Sequence, residues 1–180
     1  ATVQANFDFT SEKDMQKKVN VSSILQPLVT GLFANSPFKN SKLNGYESYR
    51  NHVWFNTDAD RSGIPKLLTQ STLSFEEYVD FALNVPVYSI IRDNQYFNCT
   101  QYSFAELMEN KNPEINSEGL TLDDWVNHIS TIFTEVRLKT FIEMRGADAG
   151  GYKSLCALPA LWTGILLSLI HISEPTRRLV

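Results

Sequence analysis

The sequence predicts an α+β fold, and three observations carry that reading. Two stretches, Thr2 to Phe9 and Val136 to Met144, alternate polar and apolar residues with the period of a strand. Several others space their apolar residues as a helix does and open on a capping signature. The two kinds of element do not alternate strictly along the chain, which fits α+β rather than a βαβ repeat.

In the first strand Gln4, Asn6 and Asp8 lie on one face, with Val3, Ala5, Phe7 and Phe9 on the other. The polar face is either a solvated sheet surface or the lining of a polar site. Ser11-Glu12-Lys13-Asp14 then opens a helix whose apolar row is Met15, Val19, Leu25, Leu28, Val29, Leu32 and Phe33. Pro27 has no N–H to donate and should bend or interrupt it, and Asn35-Ser36-Pro37 ends it. Residues 36–48 read as loop, Tyr49 to Asn56 as a strand or a short helix, and Thr57 to Pro65 as loop again. Ser74-Phe75-Glu76-Glu77 caps a helix to about Leu83. Val85 to Arg92 is a strand that turns at Asp93-Asn94 into Gln95 to Cys99. Ser103-Phe104-Ala105-Glu106 caps a short helix, and Thr121-Leu122-Asp123-Asp124 another that runs to about Phe133. Val136 to Met144 reads as one strand, with Val136, Leu138 and Thr140 opposite Arg137, Lys139, Phe141 and Glu143. Residues 154–166 form an apolar helix.

A chain of 180 residues can hold one domain with a sizeable core. It is 43% apolar and 20% charged, an ordinary globular balance. Net charge is -4 with Lys and Arg scattered, which leaves no basic patch for nucleic acid. Cys99 and Cys156 are too few for a disulfide scaffold and wrongly spaced for zinc, so both read as free buried thiols in a cytoplasmic protein. The first residues lack the basic start and apolar core of a signal peptide. There is no initiator Met, as expected of a segment cut from a longer chain.

Leu155 to Ile172 carries no charge and approaches the ~20 residues of a membrane span, so a tail anchor is one reading. The string Leu167-Ser168-Leu169-Ile170-His171-Ile172-Ser173-Glu174-Pro175-Thr176-Arg177 resembles the translation of a transposase sequencing adapter. Residues 167–180 are therefore expected to be a non-native read-through tail, outside the fold. What remains is too short to cross a bilayer, and no membrane partner is expected.

Glu143-x-Arg145 holds the chemistry. Two residues apart on a strand, both side chains point the same way. The pair is either a surface ion pair, worth ~0–1 kcal/mol, or a metal-holding carboxylate beside a phosphate clamp. Arginine suits phosphate through its planar donors, and Mg2+ wants hard oxygen ligands. Spacing alone favours the surface pair. Asp58-x-Asp60 has metal-like spacing but lies in a Gly and Ser loop where Asp is a normal turn residue. His52 reads as an ordinary half-buried histidine, and His128, near Trp125 and Ile129, as structural.

Longer strings change the balance. They are Val3-Gln4-Ala5-Asn6-Phe7-Asp8, Leu32-Phe33-Ala34-Asn35-Ser36-Pro37-Phe38, Asn44-Gly45, Ser48-Tyr49-Arg50-Asn51-His52-Val53-Trp54, Thr57-Asp58-Ala59-Asp60-Arg61, Glu135-Val136-Arg137-Leu138-Lys139, Glu143-Met144-Arg145-Gly146-Ala147-Asp148-Ala149-Gly150-Gly151 and Leu155-Cys156-Ala157-Leu158-Pro159-Ala160-Leu161-Trp162. Together, in order from residue 1 to about 166, they resemble the plant and proteobacterial class of glutamate–cysteine ligase. Residues 62–73 and 112–120 match poorly, and Lys153-Ser154 replaces a more basic pair.

The resemblance implies a partial ligase catalytic domain over 1–166, similar in fold to glutamine synthetase: a funnel of mainly antiparallel sheet with helices outside. It implies ATP and Mg2+ as cofactors, with glutamate, cysteine and ATP as the small-molecule partners. The product would be γ-glutamylcysteine, made through a γ-glutamyl phosphate in the first step of glutathione synthesis. By the same resemblance Glu143 is a Mg2+ ligand and Arg145 a phosphate contact. Gln4 and Asn6 line the funnel, and Arg50 holds a substrate carboxylate, glutamate's. Asp148 either orients the Arg145 turn or simply forms the turn before Gly150-Gly151. A plant-like origin would move the location from cytoplasm to plastid. Cys99 and Cys156 match cysteines of plant enzymes in which redox-linked disulfides occur, but the cysteines that would pair with them there are absent from this stretch. The family's N-terminal segment supplies further metal-binding carboxylates, so this chain alone is expected to be inactive. The rival readings are a related ATP-dependent ligase that joins a different amine, and an inert fragment.

Overall fold

A computed structural model describes residues 3–109, 115 and 119–167. Both kinds of element are present, as the α+β reading expects, and local signals explain most of them. The first strand, β1 (Ala5–Phe7), is shorter than the alternation from Thr2 to Phe9, because its antiparallel partner offers only three residues to pair with. The helix α1 (Glu12–Leu32) starts where expected: the Ser11 hydroxyl accepts from the Asp14 N–H. Pro27 does not interrupt it. Gln26, Val29 and Thr30 are buried on either side of the proline, and this packing holds both halves in line despite the missing hydrogen bond.

Residues 36–48 are not plain loop. They contain a small hairpin, β2 (Phe38–Lys39) and β3 (Lys42–Leu43), which turns at Asn40 and Ser41 with φ of 51° and 62°. α2 (Tyr49–Phe55) settles the open choice in favour of a helix, with Ser48 as its N-cap. β4 (Ser62–Gly63) is a two-residue strand inside the expected loop, followed by a 3-10 turn over Lys66–Thr69. α3 (Phe75–Asn84) carries the Ser74–Glu77 capping box. β5 (Ser89–Arg92) and β6 (Gln95–Asn98) form the expected hairpin, with Asp93 and Asn94 both at positive φ. It starts later than Val85 because Pro86 has no N–H and Val87 instead bonds Tyr102.

α4 (Phe104–Glu109) and α5 (Leu122–Ser130) follow their caps. α5 stops before Phe133 because that residue enters β7 (Phe133–Thr134), which pairs in parallel with β4. The stretch Val136 to Met144 is not one strand. It is the hairpin β8 (Val136–Leu138) and β9 (Ile142–Met144), closed around Lys139 to Phe141. α6 (Tyr152–Leu167) buries Leu158, Trp162 and Leu166 at four-residue spacing.

β1, β9 and β8 make an antiparallel sheet in that order, in register Ala5–Met144–Val136, Asn6–Glu143–Arg137 and Phe7–Ile142–Leu138. Its apolar face packs with Met15, Val19 and Val29 of α1 and with Leu158 and Trp162 of α6. The other face carries Asn6, Glu143 and Arg137. A smaller cluster of Val87, Ile90, Cys99, Phe104 and Leu107 lies under the β5–β6 hairpin. None of the described helices is long and apolar enough to cross a membrane. Thr2, most of residues 112–120, and the tail expected over 167–180 beyond Leu167 lie outside the described residues.

Candidate functional site

The hairpin at residues 139–141 builds the site. By folding the chain back it places Arg137 directly across from Glu143. The Arg137 Nε donates to Glu143 Oε2 at 2.5 Å, and the Arg145 Nη1 donates to the same oxygen at 3.3 Å. Glu143 is 2% exposed, so it is no surface ion pair. Burial raises its carboxyl, but the Arg137 hydrogen bond and the charges of Arg137, Arg145 and Lys139 outweigh that and hold it below the ordinary range. Gln4 reaches across from the start of the first strand: its Nε2 lies 3.4 Å from Glu143 Oε1, and its Oε1 lies 3.5 Å from Arg145 Nη1. Asn6 is the exposed neighbour in register with Glu143. The polar face of β1 is thus continuous with the Glu143 cluster.

Arg50 arrives from α2. Its Nη2 donates to the Arg145 carbonyl at 2.6 Å, while its Nε and Nη1 are buried without a hydrogen-bond partner. Close by is Glu135, whose Oε2 is also buried and unpartnered. Burial pushes the Glu135 carboxyl up, against the charges of Arg50 and Arg145. Glu135, Gln26, Thr30, Asn51, Trp54 and Ser62 are among the walls of a cavity of about 390 Å³. Gly146 allows this crowding: a Cβ there would meet the Thr30 hydroxyl at 2.8 Å and the Glu135 and Gln26 side chains closer still.

Sequence reasoning named Glu143, Arg145, Arg50, Gln4 and Asn6; the geometry gathers Gln4, Glu143, Arg145 and Arg50 through direct contacts. It missed Arg137, Glu135 and Gln26. The signal for Arg137 was its place on the strand that pairs with Glu143, hidden by reading one strand where there are two. Asp58 is a turn residue, as expected: it accepts from the Asp60 N–H and from Arg61, which is buried over the Tyr88 ring. His52 stacks on Tyr46, and the buried His128 bonds the Ala82 carbonyl. Both cysteines are free, but only Cys99 is buried. Cys156 is exposed because it sits two residues before Leu158, roughly half a turn from the face that α6 buries.

Mg2+ takes hard oxygen ligands. Glu143 offers a hard, anionic oxygen, Oε1, that no guanidinium occupies, which fits one ligand position. Among the described residues no group of three His, Cys, Asp or Glu side chains could hold a metal, so they do not make a full coordination shell.

A family model described as glutamate-cysteine ligase family 2 matches residues 1–172. Glutamate–cysteine ligase A, chloroplastic, of Oryza sativa subsp. indica is 51% identical over 178 residues, covering 97% of this chain and 36% of the relative. The chloroplastic glutamate–cysteine ligase of Solanum lycopersicum is 52% identical over 165 residues, 92% of this chain and 32% of the relative. That of Arabidopsis thaliana is 49% identical over 165 residues, with the same two shares. The chain spans about a third of the length of these curated relatives.

Proposed function

The chain belongs to glutamate-cysteine ligase family 2, and from that premise we propose that it forms one wall of the active site of an ATP-dependent ligase joining glutamate to cysteine. The sheet β1–β9–β8 is the part of the funnel it supplies. The observation that carries this reading is the surplus of guanidinium charge. Arg50, Arg137 and Arg145 surround two carboxylates, and burial drives one of these, Glu135, toward its neutral form. Such a site favours anions, and the proposed substrates bring phosphates and carboxylates.

In the proposed reaction the side-chain carboxylate of glutamate takes the terminal phosphoryl group of ATP. The cysteine amine then displaces phosphate, leaving γ-glutamylcysteine, ADP and phosphate. Arg50 has two buried donors, Nε and Nη1, to offer a carboxylate, and we assign it the glutamate. Arg145 would contact the phosphates and Glu143 would give Mg2+ one oxygen, while Arg137 holds Glu143 ionised and oriented. Bound Mg2+ would neutralise charge on the transferring phosphoryl group. Gln4 and Asn6 line the approach. The relatives are chloroplastic by name, which favours a plastid over the cytoplasm as the location.

The test is ADP release by the full-length protein carrying this chain, assayed with and without each amino acid. Glu143→Gln should cripple use of Mg·ATP, whereas Arg50→Ala should mainly raise the glutamate requirement. Equal, mild effects in both variants would refute these roles. ADP release with another amine in place of cysteine would assign the related ligase instead.

A further inference from the structure

Asp148 is 3% exposed and makes no ion pair with any described residue, yet three donors converge on it. Its Oδ2 accepts from the Asn35 N–H at 2.8 Å and from the Ser36 hydroxyl at 2.6 Å. Its Oδ1 accepts from the Ser48 hydroxyl at 2.9 Å. Each serine passes the constraint on. Ser36 Oγ accepts from the Arg50 N–H at 3.1 Å, and Ser48 Oγ caps α2 by accepting from the Asn51 N–H at 3.2 Å. The backbone repeats the join, with the Tyr49 N–H donating to the Ser36 carbonyl at 3.2 Å.

α2 needs such an anchor. It has seven residues and none is fully buried, so neither its own length nor core packing fixes its place. Asp148, in turn, stands three residues past Arg145, whose carbonyl receives the Arg50 side chain. The carboxylate therefore ties the end of the α1 connection, the first turn of α2 and the Arg145 loop at one point.

We infer that Asp148 is a positioning residue: through Ser36 and Ser48 it fixes α2, and with it the Arg50 guanidinium, against the Arg145 loop. Charge-assisted bonds to a buried carboxylate are the strong kind, and these three join the connection after α1 and the α2 cap at one point. The inference rests on the reading of Arg50 as the glutamate carboxylate contact.

The experiment uses the full-length protein carrying this chain, with Asp148→Ala, Asp148→Asn, the double variant Ser36→Ala/Ser48→Ala, and Arg50→Ala as reference. Two quantities are read: hydrogen exchange of the amides at residues 49–52, and the KM for glutamate against that for ATP. Asp148→Ala should speed exchange at 49–52 and raise the glutamate KM by about tenfold or more, with the ATP KM changed far less. Asp148→Asn keeps one acceptor oxygen and can donate to Ser48, so it should recover most of the loss. Should Asp148→Ala fail to fold, the serine pair, which leaves the carboxylate in place, should give the same split in weaker form. Unchanged exchange at 49–52 in both Asp148→Ala and the serine pair overturns the inference, whatever the kinetics. Faster exchange with an unchanged glutamate KM, in a protein where Arg50→Ala does raise it, overturns it too. If Arg50→Ala itself leaves the glutamate KM alone while Asp148→Ala loosens α2, the anchoring of α2 stands and the role given to Arg50 falls.

Discussion

Burial raises the Glu135 carboxyl against the pull of Arg50 and Arg145, so the folded chain binds that proton more tightly than the unfolded chain does. The stability tied to the protonated form is fully present below the ordinary value of 4.5 and is lost as pH rises through the raised one. Glu143 runs the opposite way. Its lowered carboxyl contributes stability above the ordinary value, lost as pH falls through the lowered one. Two carboxylates, Glu135 in the bend between β7 and β8 and Glu143 on β9, thus respond to acid with opposite signs. Glutamine at position 135 cannot ionise, so Glu135→Gln should raise the melting temperature at neutral pH, and the gain should shrink to nothing below about pH 4.5. Melting curves collected from pH 4 to 8 check this. A constant offset between variant and parent across that range would show that Glu135 is not strained by burial.

At the scale of elements the β8–β9 hairpin decides the most, because it creates the buried Arg137–Glu143 pair. Removing one partner from such a pair leaves an uncompensated charge. Arg137→Met or Glu143→Met alone should therefore cost ~3–5 kcal/mol, while replacing both residues by Met should cost much less. Urea denaturation of the two single variants and the double variant measures the coupling. The same hairpin marks where legibility ended. Lys139, Thr140 and Phe141 include no Gly, Pro, Asn or Asp, so nothing in the residues announces a turn, and the period-two pattern reads straight through it. The helix starts at Ser11, Ser74, Ser103 and Thr121 were legible because a cap is local chemistry, complete within four residues. β4 and β7 were not, since two residues become a strand only through a partner some seventy positions away. Glu143 and Arg145 could be paired from spacing alone. Arg137 and Glu135 depend on cross-strand register and on α1, which spacing does not encode.

Over the whole molecule, α1 shows how far packing can depart from a helical row. Met15, Val19 and Val29 face the core as the row requires, but Leu28 and Leu32 are exposed, while Gln26 and Thr30 point inward to the Gly146 and Glu135 region. The inward face of α1 turns polar where it meets the site, so the site rather than the core sets the helix's rotation there. That polar interior supplies guanidinium groups generously and carboxylates sparingly. Glu143 offers a metal an ionised oxygen there, but no trio of metal-binding side chains exists among the described residues. Mg2+ demands near-ideal octahedral geometry, and one protein oxygen cannot hold it against water. In the proposed phosphoryl transfer the developing charge would then meet only the guanidinium groups of this wall. The 180-residue chain by itself is therefore expected to release no ADP in the presence of glutamate, cysteine, ATP and Mg2+. Calorimetric titration with Mg2+ should show no saturable binding at millimolar ion, whereas phosphate-bearing ligands should still bind weakly through Arg145 in a salt-dependent way. ADP release that requires both amino acids would mean that the described wall completes the site without further ligands.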